Sequence, residues 1–194
     1  MPTPTRKILV HTCCTACASH VFSELSRAGF EVISFFYHPE IGNFEEYEKR
    51  LFDLERYCEE NKYKLIVPEY EPEEFSLLIE AFKDRNSIKY ITDLNRYRRR
   101  RCELCNSLAI QKTIEQTRRL KLKYFTTSLL CSPYKDHDQI IDIANEKSLD
   151  YNLNFYYQDF RKGYWMGRNY ARNHRVYVSS ICGCLESNKE KRLE

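Results

Sequence analysis

Lys7-Ile8-Leu9-Val10-His11-Thr12-Cys13-Cys14-Thr15-Ala16-Cys17 decides the fold. A short apolar run reads as a buried strand and breaks into a turn carrying three cysteines. A helix follows, because Val21, Phe22, Leu25 and Ala28 recur at helical spacing and Gly29 suits the position just past a helix end. The three thiols therefore sit where the carboxyl end of a strand feeds a helix N-terminus. Ligands of open α/β sheets collect at that edge, and the unpaired N–H groups there favour thiolates. The turn is expected to hold metal, with the other cysteines coming to it.

Outward from this turn, strands and helices alternate. Residues 31–37 form a second strand, 64–68 a third, 123–130 a fourth and 153–157 a fifth. Phe44, Tyr47, Leu51, Leu54 and Cys58 mark a helix between the second and third. Pro72 opens another helix, with Phe75, Leu78, Ile79 and Phe82 on one face. Apolar periodicity fails over 83–101, which is expected to be a loop or irregular helix. A helix from near Cys102 to about Leu120 and one over 136–147 complete the pattern. This is an α/β chain with a Rossmann-like, mostly parallel sheet, flanking helices and a metal site at the C-terminal edge of the strands. One metalloenzyme domain is expected over 1–194, with 83–101 as an insertion at its binding edge and 185–194 as a charged tail.

With 194 residues the chain has room for a full core without help from metal. Its five glycines and six prolines argue against a long disordered linker. No apolar run approaches the length of a membrane span, and residues 1–7 lack a signal-peptide core. A cytoplasmic protein with reduced thiols is expected. Nine cysteines in such a compartment point to metal or redox chemistry before disulfides.

Seven of the nine fall into three groups: Cys13, Cys14 and Cys17; Cys102 and Cys105; Cys182 and Cys184. The C-x-x-C pair places both thiols on one helical face, and Gly183 permits the sharp turn that aims its two neighbours at one centre. One zinc ion or one [4Fe–4S] cluster takes four ligands and leaves three thiols over. Adjacent side chains on extended backbone diverge, so Cys13 and Cys14 are expected to divide between two centres. Cys58 lies on an apolar helix stripe and is read as core. Cys131, after the fourth strand, has no partner in its spacing.

Two basic stretches flank the cysteines. Arg96, Arg98, Arg99, Arg100 and Arg101 surround Tyr97, and residues 161–175 mix Arg161, Lys162 and Arg168 with Tyr164 and Trp165 without a carboxylate. Arginines suit phosphates and aromatic faces suit unpaired bases, so single-stranded RNA is the expected partner. Lys135 is a further substrate contact at the strand edge. His11 and Asp159, each at a strand end, are the candidate proton donors.

The ordered set His11-Thr12-Cys13-Cys14-Thr15-Ala16-Cys17, Glu46-Tyr47-Glu48-Lys49-Arg50, Cys102-Glu103-Leu104-Cys105, Phe125-Thr126-Thr127-Ser128-Leu129, Ser132-Pro133-Tyr134-Lys135, Asp159-Phe160-Arg161-Lys162-Gly163-Tyr164 and Cys182-Gly183-Cys184 resembles the cobalamin-independent epoxyqueuosine reductases, the QueH family. The resemblance covers nearly the whole chain. It implies a HUP-like fold, a [4Fe–4S] cluster beside a second mononuclear ion of iron or zinc, and reduction of epoxyqueuosine to queuosine at the tRNA wobble position. Its partners would be a tRNA anticodon loop and an external one-electron donor. The chain departs from the family pattern at Thr15-Ala16, in the arginine run before Cys102, and at Val178-Ser179-Ser180-Ile181. Two other classes share these features: an iron–sulfur enzyme inserting sulfur into tRNA, and a non-catalytic zinc-stabilised RNA-binding module.

Overall fold

The computed structural model describes residues 6–85, 94–179, 182 and 184. Five strands, β1 (Arg6–His11), β2 (Phe30–Phe35), β3 (Lys64–Ile66), β4 (Tyr124–Thr127) and β5 (Asn154–Phe155), form one all-parallel sheet in the order β3-β2-β1-β4-β5. The central β1 places His11 opposite Phe35 of β2 on one side and Thr127 of β4 on the other. Chain direction reverses between these neighbours: β1 leads out to β2 and β3, whereas β4 leads the other way to β5. The connections leaving β1 and β4 diverge, which opens a crevice at their carboxyl ends.

Helices cover both faces, as an all-parallel sheet requires. They are α1 (Thr15–Arg27), α2 (Phe44–Glu60), α3 (Pro72–Arg85), α4 (Leu94–Arg119), α5 (His137–Leu149) and α6 (Tyr164–Asn173). One layer packs α1 against α2 and α6; in the other, α4 packs against α3, α5, β1 and β4. Ile8, Leu9 and Val10 are fully buried between them with Phe22, Leu25, Ile114, Phe125 and Ile140. Side chains fix the starts of two helices. Asn43 accepts the Glu46 N–H of α2, and Asp136 accepts the Gln139 N–H of α5.

Three local expectations are corrected. The arginine run is not irregular: α3 continues to Arg85 and α4 begins at Leu94, so the arginines form the first turns of a 26-residue helix. Arginine is a strong helix former whatever the apolar pattern. Tyr97, buried and stacked on Phe82 at 5.9 Å, is what ties this end of α4 to α3. The fourth strand stops at Thr127, where a 3-10 turn over Ser128–Cys131 replaces its expected end. The third correction is α6, which carries no stripe of large apolar residues. Its packing side is instead the series Gly163, Gly167 and Ala171, four residues apart. A Cβ on Gly167 would lie 1.9 Å from the Ala16 carbonyl oxygen, and one on Gly163 would lie 1.7 Å from the His20 ring. Small residues let α6 approach α1 backbone to backbone, which a search for large hydrophobes does not see. The expected tail over 185–194 lies outside the described residues. Among these, no helix is long and apolar enough to cross a membrane.

Candidate metal centre

The link between β1 and α1 is three residues long and is anchored before it reaches the thiols. Thr12 N–H donates to the Phe35 carbonyl at 2.9 Å, its hydroxyl donates to the Val10 carbonyl at 2.9 Å, and Ser34 donates to that hydroxyl at 2.9 Å. Cys13 N–H then donates to Ser128 Oγ at 2.9 Å, and the same Oγ lies 3.2 Å from Cys13 Sγ. The turn after β1 is thus tied to the turn after β4, at the crevice between the two strands. The sulfurs of Cys13, Cys14 and Cys17 all lie within 4.8 Å of one another, and Cys13 and Cys14 are 3.9 Å apart. The chain enters α1 directly after Cys14, so both vicinal thiols reach the same point. All three sulfurs, the vicinal pair included, are close enough to share one ion.

The three thiols are tied to one another by hydrogen bonds. Cys14 is held well below the usual thiol range by hydrogen bonds from Cys13 and Cys17, against the cost of burial, with the Cys17 N–H and the Arg50 guanidinium adding to the effect. Cys13 is raised, first by its contact with Cys14; Cys17 is raised, first by Cys13 and then by Cys131. A thiolate backed by two thiols suits a soft or borderline cation, whose charge displaces the remaining protons. Three sulfur donors leave a coordination position open, as in catalytic rather than structural sites. The residues fit a metal. Cys131, which spacing left without a partner, is buried beside Cys17, whereas Cys58 sits in the core as expected.

The other four cysteines gather separately. Cys184 is buried with Phe75 and Ile79, Cys105 packs against that cluster, and a backbone bridge joins Cys184 to Ile41. Burial would lower the Lys135 pKa, but Cys182, Cys105, Cys102 and Glu40 outweigh it and raise it, so the ammonium stays charged among them. Lys135 therefore faces this second thiol group. Among the described residues, only Cys13, Cys14 and Cys17 approach closely enough to share one ion.

A family model described as epoxyqueuosine reductase QueH matches residues 8–190. The chain belongs to the QueH family. A protein of that name from Thermotoga maritima is 30% identical over 187 residues, covering 95% of this chain and 92% of its own length. One from Dehalococcoides mccartyi is 27% identical, covering 95% of this chain and 94% of its own length. A third, from Helicobacter pylori, is 28% identical and covers 91% of this chain but 48% of its own length.

In this QueH-family chain, a buried polar shell supports the thiol turn. Arg50 of α2 is 7% exposed; it pairs with Glu46 at 2.6 Å, and its Nη1 lies 3.5 Å from the Cys182 carbonyl. It touches one cysteine group by hydrogen bond and the other by charge. Nothing in the spacing marked it as part of a site, although it stands within a motif quoted above. On the other side, His11 Nε2 donates to the Tyr37 carbonyl at 3.1 Å, and its Nδ1 lies 2.9 Å from Thr127 Oγ1. Burial and the nearby His38 lower the His11 pKa to about 3. Both ring nitrogens have partners, which fixes the orientation of the ring beside the thiol turn. His38 faces acceptors at both nitrogens, Glu40 Oε1 at 2.8 Å and the Thr12 carbonyl at 2.8 Å. Burial alone would raise the Glu40 pKa, but its pairing with His38 holds it at about 2. Asp159 is also a bound carboxylate: Arg161 grips it through three contacts of 2.6–3.1 Å and lowers it to about 2. At neutral pH it has no proton to give.

The basic residues divide by environment. Arg99 and Arg100 are exposed and pair with Asp136 and Glu103. Arg101 is buried over the Tyr97 ring of its own helix and is not a surface cation; Arg98 is half-buried. Arg161 and Lys162 are exposed in the turn before α6. Tyr164 meets Tyr134 at 5.9 Å and Trp165 at 5.2 Å, with Arg168 over the Tyr164 ring. Tyr134 is 80% exposed and Trp165 67%. They form an aromatic tier beside the turn that follows β4, to which Tyr134 is the addition that sequence reading missed.

Proposed function

We propose that this chain reduces epoxyqueuosine to queuosine at the wobble position of tRNA, working in the cytoplasm as one domain over 1–194. The observation that carries the reading is the convergence of three thiols at the β1–β4 crevice of a QueH-family chain. Conversion of an epoxide to an alkene takes two electrons and two protons and releases water. Cys13, Cys14 and Cys17 would hold one metal centre, and Cys102, Cys105, Cys182 and Cys184 the other. The pair comprises a [4Fe–4S] cluster and a mononuclear ion of iron or zinc. When bound, these groups supply single electrons from an external donor and polarise the departing oxygen.

The chain's own residues do the rest. The Lys135 ammonium, fixed beside the second thiol group, holds developing negative charge on the oxygen. Tyr134, Tyr164 and Trp165 offer faces for stacking of anticodon bases, and Arg98, Arg99, Arg100, Arg161, Lys162 and Arg168 offer charge to phosphates. His11 keeps the first turn in place. Asp159 orients Arg161, and solvent water provides the protons.

The test is anaerobic turnover of tRNA bearing epoxyqueuosine with a one-electron reductant, followed by mass analysis of the nucleoside and iron and sulfide analysis of the protein. Loss of one oxygen by an iron-loaded protein is expected. Gain of sulfur, or tight RNA binding by a zinc protein without turnover under any reductant, would contradict the reading.

A further inference from the structure

A second charged feature lies on the α6 side of the thiol turn, away from the aromatic tier. Between α2 and the end of α6 runs an open groove of about 660 Å³, with Lys49, Phe52 and Arg56 along one wall and Arg172, Arg175 and Tyr177 along the other. Lys49, Phe52 and Arg56 share one face of α2 by their spacing. The one acid in the groove, Asp53, is buried and spent: it accepts from Arg56 at 2.9 Å and from the Tyr177 N–H at 2.5 Å. It clamps the chain after α6 to α2 and is used up on Arg56, which leaves no acid among the described residues of the groove for Arg172 and Arg175. Among the described residues, neither Arg172 nor Arg175 makes an ion pair, and the Lys49 pair with Glu45 is a surface one, which costs little to exchange. Phe52 is 67% exposed at the rim.

The groove backs onto the thiol turn. Ala171 and Val176 pack in one cluster with Ala16 and Cys14, so the wall of the groove is the back of the cysteine turn. The direction of α6 fixes this: Gly163 lies on His20 in the middle of α1, Gly167 lies on Ala16 at its start, and the end of α6 therefore reaches the edge where the thiols are.

We infer that this groove binds the sugar–phosphate backbone of the RNA substrate, next to the nucleotide that enters the thiol crevice. Two arginines without an ion pair among the described residues, flanked by Lys49, Arg56 and an exposed aromatic at the rim, are the chemistry that recognises a phosphodiester strand with an unpaired base. This rests on the tRNA reading above and adds to it a surface that lies outside the aromatic tier.

Arg175 provides a clean test. It sits in the left-handed region, with φ 53°, just past α6, and Val176 N–H donates to the Ala171 carbonyl at 2.8 Å to close the helix end. Glycine is the residue that position favours, so Arg175→Gly removes the cation while the fold is kept or improved. Arg172→Gln removes a second exposed cation on the helix surface. Affinity for a tRNA anticodon stem-loop would be measured for the full chain and the double variant between 50 and 300 mM salt (about the range over which counterion release is read), with melting temperature alongside. The expected result is a melting temperature equal to or above that of the parent, binding about tenfold weaker at low salt, and a log–log salt slope shallower by about 1.5. Unchanged affinity and slope, while the parent binds and converts tRNA, would overturn the groove assignment and leave the reductase reading standing. Intact RNA binding with slower electron delivery from an acidic donor protein would overturn it in favour of a protein partner. A parent chain that neither binds nor converts tRNA would overturn both.

Discussion

Glu40 follows the second strand in a stretch, His38-Pro39-Glu40, whose sequence shows only a turn. Folded, it is a nearly buried carboxylate held at about 2 against 4.5 in an open chain. At about 1.4 kcal/mol per unit of difference, the pairing contributes roughly 3 kcal/mol of stability. That contribution is complete above about pH 5, where the unfolded carboxyl is also ionised, and it is lost as pH falls toward 2 and the folded carboxyl takes its proton. Glu40→Gln should therefore lower stability by up to about 3 kcal/mol at pH 7 and flatten its decline between pH 5 and 3. Urea unfolding of the metal-free chain across that range measures it, and parallel declines for parent and variant would contradict the assignment. His38, Arg50 and Cys131 were not legible as site residues, because their roles arise from neighbours far along the chain. Arg50 meets a carbonyl 132 positions away. The cysteines were legible because local spacing groups thiols before any fold is known.

At the scale of elements, the strand–turn–helix unit around Cys13 could be read directly, since β1 is apolar from Ile8 to Val10 and α1 has ordinary periodicity. The unit that supports it could not. With small residues on the side that meets α1 and Trp165 and Met166 exposed, α6 escapes pattern reading, yet its glycines determine how closely it approaches α1. Gly167→Ala places a methyl group 1.9 Å from the Ala16 carbonyl oxygen, a backbone atom between Cys14 and Cys17 that has no rotamer to change. Despite the higher helix propensity of alanine, the variant should lose about 2–3 kcal/mol. It should also bind metal more weakly, because the turn must shift to relieve the contact. Thermal unfolding with and without reconstituted iron tests this; a gain in stability together with full metal content would show that the α1–α6 approach does not position the thiols. The arginine run teaches the converse lesson. Five arginines read as an irregular binding edge, yet helix propensity makes them a regular helix and Arg101 becomes part of an internal contact.

Across the whole molecule, the proposed site lies where the direction of chain progress reverses. The strand order β3-β2-β1-β4-β5 separates the connections after β1 and β4, and the thiol turn, Ser128, Cys131 and Lys135 all stand at that separation. Alternation of apolar strands with amphipathic helices was enough to anticipate the layered parallel sheet and the edge that carries the site. It could not place cysteines from the beginning, middle and end of the chain relative to one another. That requires the crossover from β3 through α3 and α4 to β4, which brings Cys102 and Cys105 over the same edge as β1. The central claim is that the β1–β4 crevice is the metal centre of this QueH-family chain. Diffraction maps collected at the iron and zinc edges from anaerobic crystals test it most directly. An iron or zinc peak is expected about 2.3 Å from the sulfurs of Cys13, Cys14 and Cys17, the usual metal–thiolate distance. A catalytically active crystal with no metal at those three sulfurs would contradict it.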